Sequence, residues 1–321
     1  MLKRLRGKLF ISIAIAALIG VAFSLYANTT QLKDSLLLFP YEILPLILGF
    51  VFFNYVLRYV RWEYYLHVLN IKIPRGESFG IFMSSLAMAV TPGKMGEVLK
   101  SYFLKSLHGV QMSKSMPIVF AERVTDSVAL LIIAFMGAYV IGYEKKIIIM
   151  LALFFAAGIA VIANRSASTK IIHLLERIPF ISKRIVLIEN AYESSRAMLS
   201  GKHLLVSTIL GFIGWFSECF GFFFVLEGLN VHLRLLSADF IYTFSTLFGS
   251  LTFLPGGLGA TETSLAGLLI LAKIPKGAAV AAVFIIRAAT LWFAVIIGAV
   301  VLSYMQKRYS VALNGKLSTE N

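Results

Sequence analysis

Apolar stretches close to twenty residues long recur along the whole of this chain, and they limit the folds open to it. A helix rises about 1.5 Å per residue, so roughly 20 apolar residues match the hydrocarbon core of a bilayer. Such spans read at about 9–27, 36–57, 117–141, 147–163, 203–229 and 277–304. Of 321 residues, 59% are hydrophobic and 14% charged, where soluble domains carry about 25% charged residues. A soluble fold would have to bury several helices with almost no polar shell. The chain is therefore read as an all-α integral membrane protein, a single polytopic domain over 1–321.

Two further apolar segments are broken. One, about 78–104, is interrupted by Thr91-Pro92-Gly93-Lys94-Met95-Gly96-Glu97. The other, about 238–272, is interrupted by Pro255-Gly256-Gly257-Leu258-Gly259-Ala260-Thr261-Glu262. Proline cannot continue the hydrogen-bond ladder and glycine relaxes it. Each half is too short to span alone, so both segments read as re-entrant helical hairpins added to about six full spans.

Charge supports this layout. Lys3, Arg4, Arg6 and Lys8 precede the first span and place the N-terminus inside. Following the chain then puts Arg58, Arg61, Lys72 and Arg75 inside, with Lys105 and Lys114, seven basic residues between 164 and 202, and Lys307, Arg308 and Lys316 of the tail. Outer loops carry only Lys33, Lys145, Lys146, Arg234, Lys273 and Lys276, so the positive-inside rule is met. The net charge of +14 reads as basic loops that also attract anionic head groups, not as a nucleic-acid footprint. A prokaryotic plasma membrane with both termini cytoplasmic is expected. No small-x-small cleavage site follows the first span, which is expected to stay in place. One cysteine, Cys219, and five scattered histidines indicate neither a disulfide framework nor a metal or other cofactor.

The broken segments resemble each other. Both contain Pro-Gly-x-x-Gly, both are followed by a glutamate (Glu97, Glu262), and each is followed by an arginine in the next span. Arg123 and Arg287 lie 31 and 32 residues after their prolines. One unit, about 36–141, sends its hairpin in from inside; the other, about 203–304, sends it in from outside. Inverted repeats whose broken helices meet near the midplane are a recurring transporter design. Irregular backbone at that depth must line protein or a water-filled cavity. The connecting segment, about 164–202, is amphipathic. Ile171, Leu174, Leu175 and Ile178, then Ile181, Ile185, Ile188, Tyr192 and Leu199, fall on one helical face, as suits an interfacial helix pair or a linker packed on the membrane domain.

A charge at the bilayer centre costs about 2.5–3.5 kcal/mol on insertion scales. Glu97, Glu122, Arg123, Asp126, Glu218, Glu262 and Arg287 all read at or near that depth, so they must pair or face water. Glu122 and Asp126 share a helix face, and Arg123 reaches Asp126 at i, i+3. Freed N–H groups beside the glycines, with the N-termini of the second half-helices, suit an anionic group. The expected substrate site is Pro92, Gly93, Lys94, Gly96, Glu97, Glu122, Arg123, Asp126, Pro255, Gly256, Gly257, Gly259, Glu262 and Arg287, a cavity able to hold a phosphate. Glu218 has no partner legible in sequence. Arg58-x-x-Arg61-Trp62, at the inner end of the second span, reads either as an interfacial anchor or as a head-group entrance.

Taken in order, Arg58-x-x-Arg61-Trp62, Pro92-Gly-x-x-Gly-Glu97, Glu122-Arg-x-x-Asp126 and Pro255-Gly-Gly-x-Gly-x-x-Glu262 resemble motifs of the lysylphosphatidylglycerol synthase transmembrane-region family. These flippase-like proteins include the flippase half of the multiple peptide resistance factor. The resemblance covers about 9–304 and implies translocation of a lipid with a phosphate-containing head group. Lys94 stands where the family often carries arginine. The aminoacyl-transferase domain of the bifunctional members is absent before Asn321, so a stand-alone, non-enzymatic member is expected. Its expected partners are membrane lipids, either an anionic or aminoacylated phospholipid or a polyprenyl phosphate. A homo-oligomer is left open. The alternative function is a proton-coupled carrier of a small soluble anion.

Overall fold

The computed structural model describes the backbone at residues 18, 21, 22, 25, 29–91, 97–141, 146–166, 168–170 and 185–319, and side chains over the same residues apart from 140, 141, 147 and 307–319. Most of the first span, the tip residues Pro92, Gly93, Lys94 and Gly96, and Ile171, Leu174, Leu175, Ile178 and Ile181 of the linker lie outside the described residues.

All regular structure among the described residues is helical. Helix α1 (Thr29–Leu37) leads through a 3-10 turn, Tyr41–Ile43, into α2 (Leu44–Val68). Pro45 sits in the first turn of α2, where no helical partner is lost. The helix runs well past the apolar run at 36–57. Its polar second half persists because Arg61 and Trp62 find buried partners rather than water. Asn70 ends it in the left-handed region (φ 51°), with Ile71 N–H on Leu66 O at 2.9 Å and Asn70 N–H on His67 O at 3.0 Å, a Schellman cap.

The first broken segment gives α3 (Arg75–Ser85), a 3-10 turn at Leu86–Met88, and α4 (Leu99–His108), which packs back on α3. Left-handed Gly109 leads to α5 (Met112–Ile141), with Pro117 near its start. Helices α6 (Lys146–Ala163) and α7 (Ile185–Met198) follow, and α7 lies along α5. Helix α8 (Gly201–Gly228) repeats the ending of α2: Asn230 is left-handed (φ 55°), with Val231 N–H on Leu226 O at 2.9 Å. The second broken segment gives α9 (Leu235–Leu251), a 3-10 turn at Pro255–Gly257, and α10 (Ala260–Leu271) packed on α9. Left-handed Lys273 (φ 67°) precedes α11 (Lys276–Arg287), a π-turn at Ala288–Trp292, and α12 (Phe293–Thr319).

Three helical stretches, Tyr41–Val68, Gly201–Gly228 and Lys276–Gln306, are long and apolar enough to cross a membrane; Ile148–Ala163 and Leu235–Leu251 are shorter apolar helices. Helix α5 spans 30 residues but carries the Glu122, Arg123 and Asp126 cluster. The chain is an all-α membrane protein.

The packing crosses between the two halves. Helices α2 and α8 lie against each other. The first arm of the first hairpin, α3, lies on α12, and the first arm of the second hairpin, α9, lies on α5. Lipid tails are as apolar as leucine, so such contacts depend on close packing more than on the hydrophobic effect. Glycines permit it at both crossings. A Cβ on Gly298 would fall on the backbone N of Ala87, and one on Gly137 would fall on Leu236 O. One apolar cluster, around Ile47, Ala134, Phe222, Leu265 and Ile286, fills the space under the second hairpin. Another, around Trp62, Tyr65, Phe82, Leu104 and Met305, fills the space under the first.

Candidate functional site

The polar band of α5 organises the site. Asp126 is buried and accepts from Arg61 Nη2 of α2 at 2.7 Å and from Trp215 Nε1 of α8 at 3.1 Å. The same guanidinium reaches Thr125 Oγ1 at 3.2 Å. One turn earlier, Glu122 binds Lys100 Nζ of α4 at 2.5 Å. The Lys100 ammonium also stands over the rings of Trp62 (4.9 Å) and Phe82 (5.3 Å), a cation–π arrangement that helps hold a buried charge. Between these acids, Arg123 points the other way. It binds Glu97, which opens the second arm of the first hairpin, and stands 3.8 Å from Asp126. Arg58 Nη2 reaches Glu97 at 3.5 Å.

The second hairpin repeats that chemistry. Arg287 Nε binds Glu262 Oε1 at 2.6 Å, and its Nη2 caps Gly256 O at 2.7 Å. Gly256, Gly257 and Gly259 all have positive φ (59°, 68° and 86°), which is why the break needs glycine. Glu262 Oε2 accepts the Gly259 N–H at 2.7 Å. The N-terminus of α10, expected to face an anionic ligand, is thus partly filled by its own glutamate. The π-turn after Arg287 leaves Thr290 O free to accept the Tyr55 hydroxyl at 2.6 Å. Deeper in, Glu218 accepts from Asn54 Nδ2 and from the Tyr242 hydroxyl.

These groups surround a cavity of about 410 Å³. Arg58, Arg123 and Arg287 line it, with Asp126, Glu218, Tyr55, Tyr242, Gly256 and Gly257. Glu97 and Glu262 stand behind their arginines rather than on the wall. Arg123 keeps 26% of its side chain exposed despite its two carboxylate neighbours. Phe120, Phe155, Leu251 and Phe253 are among its apolar lining, and Phe253 is 73% exposed. The two breaks meet beside the cavity: a Cβ on Gly256 would lie 3.4 Å from Val90 Cα. Ala89 and Val90 share a small apolar cluster with Leu258, Leu291 and Val295.

Residues 9–298 match the family described as the lysylphosphatidylglycerol synthase TM region. The chain belongs to that family. Among curated relatives, the UPF0104 membrane protein MJ1078 of Methanocaldococcus jannaschii is 27% identical over 238 residues, covering 71% of this chain and 95% of that protein. A UPF0104 membrane protein of Methanothermobacter thermautotrophicus is 22% identical over 341 residues, covering 97% of this chain and 99% of its own length. The UPF0104 membrane protein PH1989 of Pyrococcus horikoshii is 23% identical over 274 residues, covering 76% of this chain and 81% of its own length.

In this lysylphosphatidylglycerol synthase TM-region protein, Arg58, Arg123, Asp126, Gly256, Gly257 and Arg287 converge on the cavity wall. Glu97, Glu122 and Glu262 hold cations just outside it. Two sites differ from the sequence reading. Arg61 and Trp62 are not surface side chains: α2 continues to Val68, and both are fully buried, Trp62 Nε1 donating to Ser78 Oγ at 3.1 Å. Sequence reasoning passed over Lys100, Asn54, Tyr55, Trp215 and Tyr242. Lys100 and Asn54 were findable by the rule that a polar residue inside an apolar segment needs a partner. The aromatic residues carried no such signal.

Proposed function

We propose that this protein moves a lipid with a phosphate-containing head group between the leaflets of the membrane, acting as a flippase or scramblase and not as an enzyme. The observation that carries the reading is the cavity itself: three arginines on its wall and exposed apolar side chains at its edge. Guanidinium groups bind phosphate through paired N–H donors. Arg123, already shared between Glu97 and Asp126, can transfer donors from a carboxylate to a phosphate at little cost in net pairing. The acyl tails would stay in lipid beside Phe120, Leu251 and Phe253 while the head group crosses. An anionic or aminoacylated phospholipid, or a polyprenyl phosphate, fits these requirements.

The proposed cycle uses both hairpins as re-entrant elements of an inverted repeat, about 36–141 and 203–304, joined by the cytoplasmic linker about 164–202. Matched left-handed caps at Asn70 and Asn230 and the matched Glu97–Arg123 and Glu262–Arg287 pairs support that reading. Hairpins that shift against the long helices would expose the cavity to each side in turn. The basic loops support cytoplasmic termini in a prokaryotic plasma membrane.

Leaflet exchange of fluorescent phospholipids in reconstituted liposomes tests the function. Arg123→Gln is expected to slow exchange by about tenfold or more, the loss of one charge-assisted bond. Arg123→Lys should recover part of the rate. Equal exchange in wild type and both variants would remove the cavity from the mechanism. Phosphate uptake without lipid exchange by folded protein would instead favour the soluble-anion carrier.

A further inference from the structure

One acidic residue takes no part in the cavity network. Asp239 lies in the second turn of α9 and is fully buried. Neither of its carboxylate oxygens has a hydrogen-bond partner among the described residues. Several other polar groups of this helix have partners: Tyr242 binds Glu218, Thr243 the Asp239 carbonyl, Ser245 the Ser264 hydroxyl and Ser250 the Leu247 carbonyl. Helices α5, α8 and α10 pack around α9. The titratable or charged groups those helices carry at the cavity and along α9 include Glu218, Cys219 and Glu227 on α8, Arg123, Asp126 and Tyr139 on α5, and Glu262 on α10. On its own side, Arg234 precedes the helix and is exposed. None of these forms an ion pair with Asp239 among the described residues.

An ionised carboxylate left without a partner in such a place costs several kcal/mol. The neutral acid avoids that cost. Its place in the helix gives that proton a use. Asp239 sits about 6 Å along α9 from Leu235, at about 1.5 Å per residue. Tyr242 follows one turn further in, at i+3 on the same side of the helix, and donates to Glu218 on the cavity wall. A route from the end of α9 to the cavity thus passes Asp239 first.

We propose that Asp239 is a proton-binding site coupled to movement of the second hairpin. It holds a proton while α9 is packed between α5 and α8, and gives that proton to water when the hairpin shifts and wets the carboxyl. The negative charge then stays on Asp239 and opposes repacking until a proton rebinds. This rests on the transport reading above, in which the hairpins move. It adds a coupling ion, so that a pH gradient would bias the cycle.

Two measurements that need no transport test it. Infrared spectra of the reconstituted protein should contain a protonated-carboxyl carbonyl band at neutral pH that is missing in Asp239→Asn. Hydrogen exchange corrected for intrinsic rate should show α9 protection in wild type falling about tenfold per pH unit between the pH at which the wetted carboxyl titrates and the higher pH at which the packed one does, then levelling off, as one-proton linkage requires. Asp239→Asn, and Asp239→Leu as a second neutral variant, should keep α9 protected across the range. Absence of the band, or the same pH dependence in the variants, would overturn the proposal. Lipid exchange at fixed pH tests the transport reading separately, so the two can fail independently.

Discussion

Lys100 is a fully buried ammonium held by Glu122 at 2.5 Å and by two aromatic faces. Removing one member of such a pair strands the other charge, at about 3–5 kcal/mol. Lys100→Met is therefore expected to lower the unfolding midpoint in detergent steeply. Lys100→Met combined with Glu122→Gln should recover at least half of that loss. Additive losses would mean that the pair is not energetically coupled. At this scale the sequence showed Glu97 and Arg123 echoed by Glu262 and Arg287, though not that each glutamate binds its own arginine. It was not readable for Lys100, Asn54 or Tyr242. Their partners lie on other helices, and only the packing angle brings Asn54 and Tyr242 to one carboxylate, Glu218.

At the scale of elements, breaks and caps were written in the local chemistry. Pro-Gly runs and the glycines with positive φ end helices wherever the chain goes next. The length of α2 was not, because the run from Arg58 to Val68 is helical only with Asp126, Ser78 and Glu97 to receive its polar groups. Gly298 allows α12 to touch the 3-10 turn at Leu86–Met88. A methyl group there would push two backbones apart, so Gly298→Ala should destabilise by about 1–3 kcal/mol, the usual range for overpacking. Gly158→Ala, with nothing within 4 Å of the new Cβ, should be neutral or slightly stabilising in the same unfolding assay. Equal effects at the two positions would contradict the close crossing.

For the whole molecule, the decisive contact is between the two breaks. Val90 and Gly256 are close enough for a disulfide, since the Gly256 Cβ would lie 3.4 Å from Val90 Cα. Paired Val90→Cys and Gly256→Cys should cross-link under oxidant despite about 1 kcal/mol of strain from the positive φ. The oxidised protein should lose lipid exchange and regain it with reductant. Undiminished exchange in the cross-linked form would mean that the hairpin tips do not separate during the cycle.

The sequence by itself determined the helical membrane class, the position of both breaks and the charges that had to be answered within the bilayer. These follow from apolar length, backbone chemistry and the cost of an unpaired charge, which act locally. Tertiary structure alone decided that each hairpin lies on the last long helix of the opposite half, α3 on α12 and α9 on α5. It also decided that Arg61 is buried while Arg58 faces the cavity, and that Asp239 is buried without a hydrogen-bond partner among the described residues. Such choices depend on which helix faces meet, and helix faces meet through shape and close backbone approach, which no single segment encodes.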